Sequence, residues 1–182
     1  MRVLTLIGLL LAGATAPLGA QHAGQFEIGV FGSYTRFDNG LQLDNQFGGG
    51  ARLGYFFGNH LSLELDANVA QPLSQLSGVG KTTAVFGSAS LVASSGSAYV
   101  LGGYSRLYMG PNPPYHSDLN ALHGGLGERI FVGDRVALRL EARGYYRGPG
   151  GVQDSPHWVG HFAGMVGLSY LLGRSATAKN GR

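Results

Sequence analysis

The chain has 182 residues, no cysteine, 32 glycines and 13% charged residues, the last against about 25% in ordinary soluble domains. Its length suits one domain, and it excludes a disulfide framework, thiol chemistry and, lacking a G-X-Y period, a collagen helix. The net charge of +3 sits at the ends: Arg2 lies in the first segment and Arg174, Lys179 and Arg182 in the last, so nine cations meet ten carboxylates in between.

The body is therefore close to neutral and carries no basic stripe of the kind a nucleic-acid binder needs. Residues 1–20 read as a secretory signal peptide. Met1-Arg2 is a short positive start, Val3 to Leu11 an apolar run, and Leu18-Gly19-Ala20 a small-residue cleavage site before Gln21. No later apolar run approaches the ~20 residues of a membrane helix. An exported chain of this kind either stays soluble or enters a membrane as strands.

Eight period-2 segments follow. In residues 25–37, Phe26, Ile28, Val30 and Tyr34 share one face, with Glu27, Gly29, Ser33, Thr35 and the odd Phe31 on the other. Asp38-Asn39-Gly40 breaks the pattern. In residues 46–57, Ala51, Leu53, Tyr55 and Phe57 alternate with Gly48, Gly50, Arg52 and Gly54. Gly58-Asn59-His60 is a tight turn. Residues 61–70 alternate most cleanly: Leu61, Leu63, Leu65, Ala67 and Val69 against Ser62, Glu64, Asp66 and Asn68.

After a Ser/Gly/Pro loop, residues 82–94 alternate weakly, with Val85, Ala89 and Leu91 assigned outward. In residues 97–108, placing Arg106 inside puts Tyr99, Leu101 and Leu107 outside. Pro111, Pro113 and Pro114 mark a loop at 109–118. In residues 119–132, Leu122, Leu126, Ile130 and Val132 oppose His123, Gly125, Gly127 and Arg129. Glu128 falls on the apolar side, and a bulge near Gly127 is expected to turn it inward.

Residues 136–146 set Val136, Leu138, Leu140 and Ala142 against Arg139, Glu141 and Arg143. The last segment, 157–172, presents Trp158, Phe162, Val166, Leu168, Tyr170 and Leu172 on one face. Residues 173–182 are expected to be a disordered polar tail.

The connections alternate between long polar loops (38–45, 71–81, 109–118 and 147–156) and turns of about 2–3 residues. Short turns on one side and long loops on the other suit an all-β, eight-stranded antiparallel up-and-down transmembrane barrel over residues 21–172. A soluble, lipocalin-like barrel would show the same alternation with its apolar face turned inward. The contents of the two faces separate the cases. One face gathers Glu27, Arg52, Glu64, Asp66, Arg106, Arg129, Arg139, Glu141 and Arg143, with glycines that leave room for them. An eight-stranded interior is just wide enough for side chains to fill. The other face carries aromatics near strand ends, among them Tyr55, Phe57, Tyr99, Tyr146, Trp158 and Tyr170, as interfacial girdles do.

The chain resembles the small OmpA/OmpX-type outer-membrane barrels. The hairpin Gly50-Ala51-Arg52-Leu53-Gly54-Tyr55, continued by Leu61-Ser62-Leu63-Glu64, is similar to that family's "RxGY…LSLE" hairpin. Leu138-Arg139-Leu140-Glu141-Ala142-Arg143 is similar to its inward Glu/Arg strand. Gly167-x-x-Tyr170-x-Leu172 is similar to its C-terminal assembly signal, although the family usually ends on an aromatic. The resemblance implies residence in the bacterial outer membrane. It also implies contact with outer-membrane lipid and recognition by the barrel-assembly machinery. It implies no peptidoglycan tether, because no further domain follows residue 172.

Buried charges must be paired. Glu27, Arg52, Glu64, Asp66, Arg129, Arg139, Glu141 and Arg143 are therefore expected to form a structural network in the interior rather than an ion path. His157 and His161 share a face about 13 Å apart at 3.3 Å per residue, too far to share a metal. His116-Ser117-Asp118 brings together hydrolase residue types, but neighbours in sequence are not a triad in space. No glycine-rich phosphate loop joins a strand to a helix. No catalytic, cofactor or metal site is expected. The favoured function is structural or surface-interacting, with the long loops as the contact surface for a ligand the sequence does not name. A secreted ligand-binding barrel and an outer-membrane lipid-modifying enzyme are the alternatives.

Overall fold

The structure, a computed structural model, describes residues 21–110, 115, 117–147 and 159–173. The signal peptide, His116, Pro113-Pro114, most of the fourth long loop, Trp158 and the tail beyond Gly173 lie outside these residues. Eight strands follow one another: β1 (Phe26–Arg36), β2 (Gln46–Phe56), β3 (Leu61–Ala70), β4 (Thr83–Ser95), β5 (Ala98–Gly110), β6 (Ser117–Phe131), β7 (Val136–Arg147) and β8 (Val159–Leu172). A single 3-10 turn at Asn39–Leu41 interrupts the first long connection, capped by Asp38, whose carboxylate accepts from the Gly40 amide at 2.8 Å.

Each strand pairs antiparallel with the next, and β1 pairs with β8 from Phe26↔Leu172 to Arg36↔Phe162. The sheet closes into a barrel, so no strand edge is left with unpaired amides, which in lipid would each cost several kcal/mol (roughly). The register fixes its shape. Following paired residues outward from Phe26 leads through Tyr55, Leu63, Leu91, Gly102, Gly124, Gly144 and Phe162 and returns to β1 at Arg36, ten residues further on. Ten residues of stagger is about 33 Å, spread over about 38 Å across eight strands, which tilts the strands by about 40°.

The pleat then sorts the side chains. Phe26, Ile28, Val30, Leu53, Leu63, Leu65, Leu91, Leu122, Leu126, Val166 and Leu168 face out, each more than 40% exposed. Glu27, Arg52, Glu64, Asp66, Arg139, Glu141 and Arg143 face in and are buried. A closed sheet with its leucines outside and its ions inside has the wrong polarity for water and the right one for hydrocarbon. Cross-strand aromatic pairs mark both ends of the β1–β2 pair: Phe26 with Tyr55 and Tyr34 with Phe47, each with ring centroids 4.9 Å apart. Tyr55, Phe57, Tyr146 and Tyr170 all face outward.

The structure corrects three expectations. First, β5 has the opposite facing. Tyr99, Leu101 and Leu107 are buried, and Arg106 points outward with its side chain 67% exposed. Both faces of β5 carry aromatic and aliphatic residues, so its parity hung on Arg106. That arginine finds its partner outside, at Asp118. Tyr99 is therefore an interior residue, not an interfacial one. Second, no bulge occurs at Gly127. The ladder runs unbroken through Gly127↔Glu141, Glu128↔Leu140 and Arg129↔Arg139. Glu128 stays on the outer face near the short-turn end and accepts from Ser97 Oγ at 3.0 Å. Third, the prolines do not cap the strands as early as expected: β5 extends to Gly110 and β6 starts at Ser117.

The outward orientation of β3 makes a direct stability test possible. Leu65→Arg, in the middle of a strand on the outer wall, should cost about 2–4 kcal/mol of folding stability in lipid. Urea unfolding of the barrel in phospholipid vesicles reads this out, and an unshifted midpoint would mean that the wall meets water.

Candidate functional site: the ion-paired interior

The interior has two storeys. On the short-turn side it is ionic. On the long-loop side it is mainly apolar, built from Phe31, Phe37, Phe86, Leu107, Met109, Tyr145 and Met165, with Thr35, Asn68, Arg147 and His161 buried among them. Leu41 and Leu43 of the first loop and Tyr115 of the third pack into the top of this upper cluster. Tyr115 Oη donates to Leu41 O at 2.9 Å and lies 3.0 Å from Ser74 Oγ, so three loops meet over the mouth. The expectation of an ionic interior therefore holds for the lower storey alone. The apolar residues above it come from inward positions such as Phe31, paired with Gly50 and Gly167, and Phe86, paired with Asn68 and Leu107.

The lower storey contains four arginines and four carboxylates, with side chains no more than 2% exposed. Arg139 on β7 reaches across the barrel. Its Nη1 lies 2.7 Å from Glu27 Oε1 on β1 and 2.6 Å from Glu64 Oε2 on β3, and its Nη2 lies 3.1 Å from Glu141. Arg143 binds Glu141 Oε1 at 2.6 Å and Asp66 Oδ2 at 2.7 Å. Arg52 of β2 joins Glu141 Oε2 at 3.0 Å and Glu64 Oε1 at 3.4 Å. Arg129 lies at one end, 3.2 Å from Glu27 Oε2 but without hydrogen-bond alignment, and its Nη1 donates to Ser94 Oγ at 3.0 Å. The eight charges cancel. Within this storey no isolated charge is left to bear the full desolvation cost of burial.

All eight residues expected in the interior network are brought together here. The period-2 pattern put them on one face, and closure of the sheet converts one face into one volume. Strand alternation also explains why Arg139, Glu141 and Arg143 bond to one another: residues two apart point the same way.

Tyr99 lies at the centre of the network, where sequence reasoning did not place it. Its hydroxyl donates to Glu141 Oε2 at 2.7 Å and accepts from Arg139 Nε at 3.3 Å. The guanidinium carbons of Arg129 and Arg139 sit 4.6 and 4.7 Å from its ring centroid, cation–π contacts in a site without water's screening. Its ring occupies the space above its cross-strand partner Gly127, where a Cβ would come within 2.4 Å of it and within 2.5 Å of Leu140 O. The readable signal was this partner: a glycine on the inward face of β6 leaves room for one large neighbour, and Tyr99 lies opposite it. Phe31 lies against Gly50 and Gly167 in the same way and carries Arg52 over its ring at 4.6 Å.

Between the storeys, His123 is held by two hydroxyls: Ser90 Oγ at 2.8 Å from Nε2 and Ser105 Oγ at 2.7 Å from Nδ1. Ser105 in turn donates to Ser88 at 2.9 Å. This chain satisfies a buried imidazole. It lacks an acidic orienter and an oxyanion hole, so it is not a hydrolytic triad. Among the described residues no group of three potential metal ligands converges.

Two consequences are measurable. Glu141→Ala removes the acceptor shared by Arg52, Arg139 and Arg143 and leaves a net buried positive charge, so it should destabilise the barrel by about 3–5 kcal/mol. The shift in the urea midpoint measures it, with Glu141→Gln as a milder comparison. Gly127→Ala should cost about 1–3 kcal/mol, because backbone and the Tyr99 ring must both give way. The double variant Gly127→Ala/Tyr99→Ala should lose part of that penalty in the same unfolding assay.

No family model matches the chain, and no curated protein does. Solved structures do. The outer membrane protein OprG from Pseudomonas aeruginosa superposes with a TM-score of 0.62 at 15% identity, over 86% of this chain and 99% of that one. Ail, the attachment invasion locus protein of Yersinia pestis, gives 0.57 at 16% identity, over 82% and 99%. Neisserial surface protein A gives 0.56 at 16% identity, over 81% and 98%. At these identities the likeness is one of fold, and the chain has the fold of the small eight-stranded outer-membrane barrels.

Proposed function

We propose that the protein is an integral barrel of the bacterial outer membrane with a structural or surface-interaction role, closed to passive flow through its interior. The observation that carries this reading is the lower storey. Four arginines and four carboxylates cross-link β1, β2, β3, β6 and β7 within the lumen. An eight-stranded barrel has no room for a channel beside them. The apolar storey and the converging loops close the other end.

A role at the surface then falls to the parts outside the lumen: the long loops and the outer wall. Outer-membrane lipid is the immediate partner of that wall. The barrel-assembly machinery is the partner during biogenesis, and β8, with Gly167, Tyr170 and Leu172, is the strand it would read. No reaction is assigned to the protein. Among the described residues the one hydrogen-bonded serine–histidine side-chain group, Ser90–His123–Ser105, is sealed inside the wall.

Two experiments test the proposal. On cell fractionation the protein should stay with the outer membrane through a carbonate wash and need detergent for release; recovery in the aqueous fraction would end the membrane reading. In planar bilayers the purified barrel should give no lasting conductance steps. Stable open steps would replace the closed barrel by a pore, whereas Glu141→Ala should be the leakier of the two proteins.

A further inference from the structure

Among the described strands, four charged side chains face outward: Arg36, Arg106, Asp118 and Glu128. Arg36 ends its strand, and Glu128 lies near the short-turn side. Arg106 and Asp118 are different. They form a bidentate pair on the outer wall, with Nε donating to Oδ1 at 2.7 Å and Nη2 to Oδ2. Tyr104 and Tyr108 flank them on β5, 47% and 43% exposed, and Tyr104 Oη donates to Asn120 Oδ1 beside them.

Their height identifies what they meet. In the ladder Ala98 faces Glu128, so counted from that pair Arg106 is eight residues up β5 and Asp118 ten up β6. At about 3.3 Å per residue and a tilt of about 40°, these are heights of about 20 Å and 25 Å above it. The apolar band of such barrels is about 25 Å tall, so the pair lies at its outer edge. There the wall faces the headgroups of the outer leaflet, neither hydrocarbon nor open water.

We infer that Tyr104, Arg106, Tyr108, Asp118 and Asn120 form a docking site for the phosphorylated sugar headgroup of an outer-leaflet glycolipid. This rests on the membrane reading above. The chemistry fits that occupant. Once Nε and Nη2 are engaged by Asp118, Nη1 of Arg106 still offers two donors to a phosphate or hydroxyl, Asn120 Nδ2 two more, and the Asp118 carboxylate accepts from sugar hydroxyls. The tyrosine rings supply apolar faces for the C–H side of a pyranose and hydroxyls for its rim.

The wall below continues the site. Gly102, Gly124 and Gly144 lie side by side on three strands, outward and in one row. A Cβ at Gly102 or Gly124 would meet nothing nearer than 3.8 Å, so the barrel does not need glycine there for room. Their absence of side chains leaves a slanted trough between Tyr104, Leu122 and Tyr146 above and Val100, Leu126 and Ala142 below, open to an acyl chain of the lipid whose headgroup sits on the patch.

The test uses the full mature chain in phosphatidylethanolamine nanodiscs, with purified deep-rough lipopolysaccharide, which bears lipid A and inner-core sugars, as the probe. Native mass spectrometry counts bound glycolipid. Arg106→Gln/Asp118→Asn keeps shape and neutrality, and its heat-shifted gel mobility reports folding. It should bind the probe about tenfold more weakly while binding phosphatidylglycerol as the parent does. An unchanged affinity for the probe overturns the site, as does an equal loss for phosphatidylglycerol, which would mean non-specific attraction of anions. Failure of the parent chain to enter nanodiscs at all would instead overturn the membrane reading.

Discussion

The structure depends on the neutral ion network in its lower lumen. A barrel whose outer wall is apolar gains little from its exterior, because lipid solvates leucine as well as another leucine does. Cohesion has to come from within. Arg139 joins β7 to β1 and β3, Arg143 joins β7 to β3, and Arg52 joins β2 to β7. These bonds run across the cylinder, at right angles to the ladder that runs around it. The ladder closes the sheet, and the ion pairs fix its cross-section.

Neutrality makes that arrangement tolerable. Each guanidinium has at least one carboxylate within 3.2 Å, and Glu141 alone serves three arginines. Tyr99 adds a ring face to two of these guanidiniums, Arg129 and Arg139, and a hydroxyl that bridges Arg139 and Glu141. A network so interlocked is more a scaffold than a gate: moving one member strands several others in a low-dielectric lumen.

The upper storey follows a different logic. There the lumen is packed by aromatic and aliphatic side chains and sealed by loop residues, so the protein resembles a small soluble core set on top of a salt-bridged base. On the proposed reading, function falls to the outside. The loops and the outer wall at the height of the headgroups are the surfaces that still have free chemistry to offer, and the paired Arg106 and Asp118 are the clearest instance on the wall.

Strand number, strand order and most facings were determined by the sequence. Period-2 alternation is a local property, and in β3 or β7 it separates Leu from Glu or Arg without reference to any neighbour. Eight of the nine inward charges among the described residues could be named for the same reason; the ninth, Arg147 at the end of β7, lies where the sequence reads as a loop. What tertiary structure decided was everything set by what lies across the barrel or beside a strand. β5 carries apolar residues on both faces, so its parity follows from the glycine opposite Tyr99 and the aspartate beside Arg106, neither of which is a property of β5. Glu128 stays outside because unbroken ladders on both flanks leave no room for a bulge. The two storeys appear only once a tilt of about 40° brings residues from distant strands to one height, since height in a sheared cylinder depends on register and not on position in the chain.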